Sequence, residues 1–131
     1  METGALGKMY RDGEVILRQG DVGDCMYVIQ SGSVEVLHEK DRKTVQLGVL
    51  GEGDTFGEIA ILERVARSAT VRALGEARVL TVDKRVLLRR IHEDPSLVFH
   101  IVQGMARRIR ELSAELARIK HGDQGDALIS S

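Results

Sequence analysis

Three residues near the middle of the chain have the types and spacing needed to bind a small phosphodiester. Gly57 and Glu58 begin the run Gly-Glu-Ile-Ala-Ile-Leu, and Arg67 lies nine residues after Glu58. Glycine lets the backbone approach an anion closely, and the first amide groups of the helical turn predicted for residues 58–62 would point toward it. The planar guanidinium of Arg67 can bind two phosphate oxygens at once. The segment therefore indicates a local anion site.

Glu58 has a separate role in this interpretation. An ionised carboxylate only accepts hydrogen bonds, so beside a phosphate it could accept one from a sugar hydroxyl. That role would make the ligand a ribonucleotide. The spacing alone leaves a second interpretation open, in which Glu58 and Arg67 form an ordinary, partly buried ion pair and Gly57 is a turn residue.

These residues must be positioned by a domain rich in short strands. Apolar and polar residues alternate most clearly at 34–37 and 70–73, which is typical of an antiparallel sandwich or roll. The predicted strands are residues 14–18, 26–30, 33–38, 44–50, 67–74 and 78–83. Glycine is favoured where a chain reverses sharply, and it flanks these strands at Gly20, Gly23, Gly32, Gly51 and Gly53.

Two helices are predicted after the strands. Asp83 is a suitable N-cap for a short helix over residues 84–93, whose apolar residues have helical spacing. Asp94 and Pro95 are suited to begin a second, longer helix that we expect to end near Lys120. Residues 121–131 are then expected to be a flexible tail.

The longer helix carries an apolar seam. Seven residues recur at alternating spacings of 4 and 3, the heptad pattern of a coiled coil: Val98, Val102, Met105, Ile109, Leu112, Leu116 and Ile119. The pattern predicts a parallel homodimer through residues 98–119, in which Glu115 and Lys120 take positions that form ion pairs between helices. The alternative is a helix that packs on its own roll.

Composition excludes several classes of function. The 131 residues carry a formal net charge of -1, so broad binding to nucleic acid or anionic membranes is not expected. The one cysteine, Cys25, cannot form an internal disulfide, which favours a cytoplasmic location. No run approaches the roughly 20 apolar residues of a membrane span. The four histidines are scattered and no nucleophile motif is present, so no catalytic residue, metal site or catalytic cofactor is predicted.

Two segments of the sequence resemble the cyclic nucleotide-binding domain family. The first is Gly-Asp-Val-Gly-Asp-Cys-Met-Tyr-Val-Ile-Gln-Ser-Gly-Ser-Val-Glu-Val at 20–36. The second, Phe-Gly-Glu-Ile-Ala-Ile-Leu at 56–62 with Arg-Ser-Ala-Thr-Val at 67–71, resembles the family's phosphate-binding cassette. The resemblance covers about residues 12–120. It implies a mainly β fold with α-helices: an antiparallel eight-stranded β-roll (jelly roll) over about 12–83, then a short helix and a long C-terminal dimerisation helix over about 84–120, in a single domain spanning 1–131.

The resemblance also implies roles for individual residues. Glu58 would bind the ribose 2′-hydroxyl and Arg67 the cyclic phosphate. Backbone amides would complete the site around Gly57, Ile59, Ala60 and Ser68. The chain departs from many relatives at Ala66, where they have proline, which predicts a less rigid loop. Ser68 is compatible with cAMP and with cGMP.

The long helix is similar to the dimerisation helix of family members that regulate transcription. That similarity places Arg108 near the ribose and Ser113 near the base, with Ser113 leaning toward the pocket of a partner subunit. Leu112 stands where those relatives have a hydroxyl residue, so one base contact would be missing. Arg108 and Ser113 are also compatible with solvated positions on the helix.

These observations predict a non-enzymatic sensor that binds cAMP or cGMP and couples binding to movement of the hinge helices and to partner or dimer interactions. An effector protein is expected as a further partner. Direct DNA binding is not expected, because no helix-turn-helix follows the long helix. The alternative is a structural or protein-interaction module that works through its coiled coil with a ligand-free roll. The chain is either a single-domain protein or a piece of a longer one.

Overall fold

The computed structural model describes residues 6–130 of the chain, with side chains for residues 6–121. These residues form two compact units that divide between Glu93 and Asp94. The first unit contains β1 (Lys8–Tyr10), β2 (Val15–Leu17), β3 (Cys25–Lys40), β4 (Lys43–Leu50), β5 (Thr55–Phe56), α1 (Ile59–Leu62), β6 (Thr70–Asp83) and α2 (Lys84–Glu93). The second contains α3 (Ser96–Ser130). The boundary falls between the two helices predicted to form the hinge and dimerisation region.

The described strands pair in antiparallel fashion around β3 and β6. β1 and β2 pair with β6, whereas β4 and β5 pair with β3. β3 joins the predicted strands 26–30 and 33–38 through register shifts near Gly32, and β6 joins most of 67–74 with 78–83. The mainly antiparallel fold class with a long C-terminal helix is confirmed. The expected eight strands correspond to six described strands because the two longest are continuous.

Two short strands were not among those predicted from the sequence. β1 has three residues and β5 has two. Runs of this length carry no periodic signal, so only their pairing with β6 and β3 makes them strands. β5 matters for function because it ends immediately before Gly57.

The core is formed mainly by alternate residues of β3 and β6. Val34 and Ala73 are partners across the two strands and are fully buried, and the partners Ile29 and Val79 are nearly so. Alternate residues of a strand point to one face, so the apolar residues of both strands meet on the same side. The cluster is completed by aromatic residues from β1 and β5. The strand that leads into the predicted site is thereby anchored in the core.

Aspartate side chains begin both longer helices. Asp83 Oδ1 accepts a hydrogen bond from the Val86 amide at 2.8 Å at the start of α2. Before α3, Asp94 Oδ1 accepts from the Ser96 amide at 3.2 Å and from its hydroxyl at 2.6 Å, and these bonds lower the pKa of Asp94. Such bonds satisfy amides that have no partner within the helix. Both predicted N-caps are confirmed.

α3 is longer than predicted and leaves its apolar seam exposed. It runs to Ser130, ten residues past Lys120, because a glycine such as Gly122 weakens a helix without necessarily ending it. The predicted flexible tail therefore falls largely within this helix, and its side chains after His121 lie outside the described residues. Six of the seven seam side chains are between 41% and 64% exposed, and Met105 is half-buried. This exposure leaves the seam available to a partner.

Within α3, Glu115 forms an ion pair with Arg118 of the same helix. An ion pair between Glu115 and Lys120 of different helices stays a prediction. No helix in the described part of the chain is both long and apolar enough to cross a membrane.

Candidate functional site

Gly57 is the turn between β5 and α1, and its conformation requires glycine. Its φ of 80° lies in the left-handed region, which a side chain would strain. A Cβ atom at this position would also lie 2.8 Å from Nη1 of Arg67. Gly57 therefore serves two purposes, since it reverses the chain and leaves room for the guanidinium.

The Arg67 side chain reaches Gly57 through main-chain hydrogen bonds. Its Nη1 donates to Gly57 O at 3.1 Å and its Nη2 donates to Cys25 O at 2.9 Å. A guanidinium has five N–H groups, so these two bonds leave donors that can bind an anion. The structure thus brings together Gly57 and Arg67, two of the residues selected from the sequence.

The loop before β3 holds the backbone of Arg67. Gly20 donates its amide to Arg67 O at 2.9 Å, and the Arg67 amide donates to Asp21 O at 2.8 Å. Val22 forms an isolated bridge with Ala66. Arg67 therefore lies in a loop tied to 20–22 rather than opening a strand, because β6 begins only at Thr70. Residues 20–22, at the start of the first segment that resembles the family, thus hold the backbone of Ala66 and Arg67.

Glu58 lies immediately before α1 and is 7% exposed. Its Oε2 accepts a hydrogen bond from the Thr55 hydroxyl at 2.9 Å. A buried carboxylate must be hydrogen-bonded, and a ligand hydroxyl is a suitable further donor. Arg67, for its part, donates to the main-chain oxygens of Gly57 and Cys25, and a guanidinium held in this way is suited to a ligand anion.

The remaining predicted residues of the cassette surround α1 and the loop before β6. The Ala60 amide donates to Gly57 O at 3.2 Å, so it already has a partner within the turn. Ala60 is buried, whereas Ile59 and Ser68 are exposed. The structure places Ile59 and Ser68 at the surface of this region.

Three residues near Arg67 were missed as functional residues by the sequence analysis: Gly23, Cys25 and Tyr27. The Tyr27 ring lies 5.8 Å from the Arg67 guanidinium and stacks on Phe56 at 5.0 Å between centroids. Burial, followed by its hydrogen bond with the Cys25 thiol, raises the pKa of Tyr27 to about 12. Sequence spacing offered no signal for these contacts, because they join residues about forty positions apart across the fold.

A groove of about 900 Å³ lies between α1 and the start of α2. The apolar side chains of Leu62 and Leu88 line it and are largely exposed. Its other lining residues include acidic and basic side chains: Asp24, Arg64, Asp83, Lys84 and Arg85. The groove separates the predicted binding turn from the first hinge helix.

Arg108 and Ser113 lie on α3, in the second compact unit. Their predicted contacts with the ribose and the base stay predictions.

Comparison with known proteins identifies the family. Residues 8–94 match the cyclic nucleotide-binding domain, a match that ends one residue past the first compact unit. The cyclic AMP receptor protein of Thermus thermophilus is 31% identical over 83% of this chain and 51% of its own length. The cAMP-dependent protein kinase regulatory subunit of Mucor circinelloides is 40% identical over 61% of this chain and 19% of its own length. The chain therefore belongs to the cyclic nucleotide-binding domain family.

A solved structure supports the same assignment. The catabolite activator protein of Thermus thermophilus matches with a TM-score of 0.74 and 30% identity, over 86% of this chain and 54% of that one. The chain thus spans about half the length of the bacterial relatives and about a fifth of the kinase subunit. The likeness concerns a binding domain within longer proteins.

Proposed function

We propose that this protein is a sensor that binds cAMP or cGMP, with Arg67 holding the cyclic phosphate and Glu58 the ribose 2′-hydroxyl. The observation that carries the proposal is the Arg67 guanidinium, held by the oxygens of Gly57 and Cys25 beside the turn that begins α1. A cation fixed by neutral groups is suited to an anionic ligand. The names of the two relatives, a cyclic AMP receptor and a cAMP-dependent kinase subunit, support cAMP as the first ligand to test.

Thermal unfolding with added nucleotide tests the binding proposal. A ligand that binds only the native state stabilises it by about 2.7 kcal/mol at a hundred times its dissociation constant, which raises the Tm by roughly 10 °C in a domain of this size. We expect that rise with cAMP or cGMP and little change with 5′-AMP, which lacks the cyclic phosphate. Equal Tm values with and without both cyclic nucleotides would contradict the proposal.

The groove between α1 and α2 suggests how binding is coupled to the hinge. Leu62 and Leu88 face the groove and are 73% and 57% exposed, so an approach of the two helices would bury apolar surface. A ligand shifts such an equilibrium only if it binds one arrangement more tightly. We expect cAMP to slow amide hydrogen exchange in both α1 and α2; unchanged exchange in α2 would exclude this coupling.

The exposed seam of α3 supports parallel homodimerisation through residues 98–119. Burying its apolar side chains against a second copy would remove them from water. Arg108 and Ser113 would then contribute to the nucleotide site, with Ser113 beside the partner's pocket. Dimerisation and nucleotide binding would therefore be coupled.

A double variant, Leu112→Glu with Leu116→Glu, tests the dimer. We expect it to be monomeric by analytical ultracentrifugation and to bind nucleotide more weakly by calorimetry. The matched control, Ala114→Glu with Ala117→Glu, adds the same charges off the seam and is expected to remain dimeric. A monomeric wild-type protein would refute dimerisation, whereas a monomeric variant with full affinity would refute the coupling alone.

The same seam supports a second candidate function, that of an interaction module with a ligand-free roll. We favour the sensor because the Arg67 environment is suited to an anion, and we propose no enzymatic activity. Thermal unfolding separates the two functions: a Tm that responds to cyclic nucleotide favours the sensor, and dimerisation without that response favours the interaction module. We also propose that the sensor acts on an effector protein and that it is located in the cytoplasm.

A further inference from the structure

The guanidinium of Arg67 occupies a narrow space that we call the arginine slot, bounded by Gly23, Cys25, Tyr27 and Gly57. Main-chain oxygens of Cys25 and Gly57 bind its two terminal nitrogens, at 2.9 and 3.1 Å. The Tyr27 ring lies beside it at 5.8 Å. The slot thus fixes both the plane and the direction of the guanidinium through neutral groups.

Gly23 is part of the slot because any larger residue would enter it. A Cβ atom built on Gly23 would collide with Nη2 of Arg67 and would lie 2.7 Å from both Cζ and Nε. The φ of Gly23 is outside the left-handed region, so its backbone conformation is open to other residues. The three atoms nearest to this Cβ all belong to the guanidinium end of Arg67, so alanine here would clash with Arg67 in its present position. Since a guanidinium ends a flexible side chain, the fold can accept alanine by displacing Arg67.

Tyr27 forms the aromatic side of the slot. Its ring is held by stacking on Phe56, with an interplanar angle of 15° and a centroid separation of 5.0 Å. A cation near the ring of a tyrosine is attracted by the ring's electron density. Because Phe56 also ends the strand before Gly57, one aromatic pair positions both the arginine and the turn that faces it.

We propose that Tyr27 is a positioning residue and Gly23 a steric requirement for nucleotide binding, both acting through Arg67. The slot orients the guanidinium before the ligand arrives, so that the cyclic phosphate meets donors already in place. Preorganisation of this kind raises affinity by reducing the side-chain freedom that binding must remove. The inference rests on the proposed function, since it assumes that Arg67 binds the phosphate.

Gly23→Ala is the most direct test, with Gly51→Ala as its matched control. Gly51 also lies in a loop with φ outside the left-handed region, and a Cβ atom there would meet open space. By calorimetry with cAMP, we expect Gly23→Ala to weaken binding at least about tenfold, as for loss of a charge-assisted hydrogen bond, and Gly51→Ala to bind as the wild type does. The loss should be equal for cAMP and cGMP, because the slot acts on the phosphate rather than the base.

Substitutions of Tyr27 test the aromatic side. We expect Tyr27→Leu to weaken cAMP binding about fivefold, and Tyr27→Phe, which keeps the ring, to bind nearly as the wild type does. Tyr10→Leu is the control for ring loss, because Tyr10 is buried in the core on β1. It should lower the Tm while leaving cAMP affinity unchanged.

Double variants distinguish positioning from a general structural role. If Gly23 and Tyr27 act through Arg67, then Gly23→Ala and Tyr27→Leu should cost no further affinity in an Arg67→Ala background. Wild-type affinity in Gly23→Ala, or losses that persist undiminished with Arg67→Ala, would overturn the proposal. Should the wild type bind neither nucleotide, the proposed function fails and the slot is tested by NMR of the Arg67 Nη–H groups, which donate to the oxygens of Gly57 and Cys25. A signal protected from solvent exchange in the wild type and lost in Gly23→Ala supports the slot, and an unprotected wild-type signal overturns it.

Discussion

This fold contains two sets of one glutamate and one arginine, and the arginines of the two sets have different hydrogen-bond partners. On the sheet, Arg72 Nε donates to Glu35 Oε2 at 2.7 Å, and Gln46 also donates to that carboxylate. In the loop before β6, Arg67 donates to main-chain oxygens, and Glu58 accepts from Thr55. In the first pair the two charges compensate each other. In the second, the Arg67 guanidinium is held by neutral carbonyl groups, which leave its charge able to meet a ligand.

The difference distinguishes an arginine that is paired within the sheet from the arginine proposed to bind the ligand. Arg67 and Arg72 are only five residues apart, yet Arg72 lies within β6, where its neighbour across the sheet is Glu35. Arg67 lies in the loop, where its neighbours are backbone carbonyls and an aromatic ring. An ion pair neutralises the arginine, whereas carbonyl groups hold its charge without cancelling it. The following experiments test that contrast.

The largest expected effect is on nucleotide affinity when Arg67 is removed. Arg67→Ala should weaken cAMP binding at least about 30-fold, since two charge-assisted hydrogen bonds to the phosphate are lost. Arg72→Ala is the matched control and should bind cAMP as the wild type does, because its charge is already compensated by Glu35. Equal losses of cAMP affinity in the two variants, measured by calorimetry, would contradict the distinction between Arg67 and Arg72.

A second comparison concerns the two glutamates. Glu58→Gln should weaken cAMP binding by roughly tenfold, and should weaken binding of 2′-deoxy-cAMP much less, because that analogue lacks the hydroxyl proposed to donate to Glu58. Glu35→Gln should affect neither ligand. Equal losses for cAMP and its deoxy analogue in Glu58→Gln would exclude the ribose role.

The two arginine variants should rank in one order for loss of cAMP affinity and in the opposite order for loss of thermal stability. Arg72→Ala should lower the Tm of the ligand-free protein more than Arg67→Ala, because it leaves the Glu35 carboxylate, which is 8% exposed, without its ionic partner. Thermal unfolding by circular dichroism measures the difference. A larger drop in Arg67→Ala would show that its carbonyl contacts hold the fold together rather than hold a ligand site.

The smallest expected effect is a dependence of the Tm on pH that arises from the Glu35 carboxyl group. Hydrogen bonds from Arg72 and then from Gln46 lower the pKa of Glu35 below its usual value of 4.5. A lowered pKa in the folded state means that the stabilisation is present above the unfolded-state pKa and is lost as the pH falls through the folded-state pKa. The Tm difference between wild type and Glu35→Gln should therefore be larger at about pH 7 than at about pH 3.5. A difference independent of pH would contradict this assignment.

The sequence by itself determined the local features of this protein. Asp83 and Asp94 are recognisable N-caps because capping joins residues only two or three positions apart. Alternation along β3 and β6 identifies strands because side-chain direction repeats every two residues. The resemblance of residues 56–62 and 67–71 to a phosphate-binding cassette led to the family that comparison confirms.

Only the tertiary structure decided which side chains surround Arg67. Tyr27 and Cys25 are about forty residues from it in the chain, and Gly23 resembled an ordinary turn glycine until a Cβ atom there proved to meet the guanidinium. The same is true of Arg72, whose partner Glu35 is set by the register between β3 and β6. Neither relation can be predicted from spacing, because strand register and loop contacts depend on how the whole sheet packs.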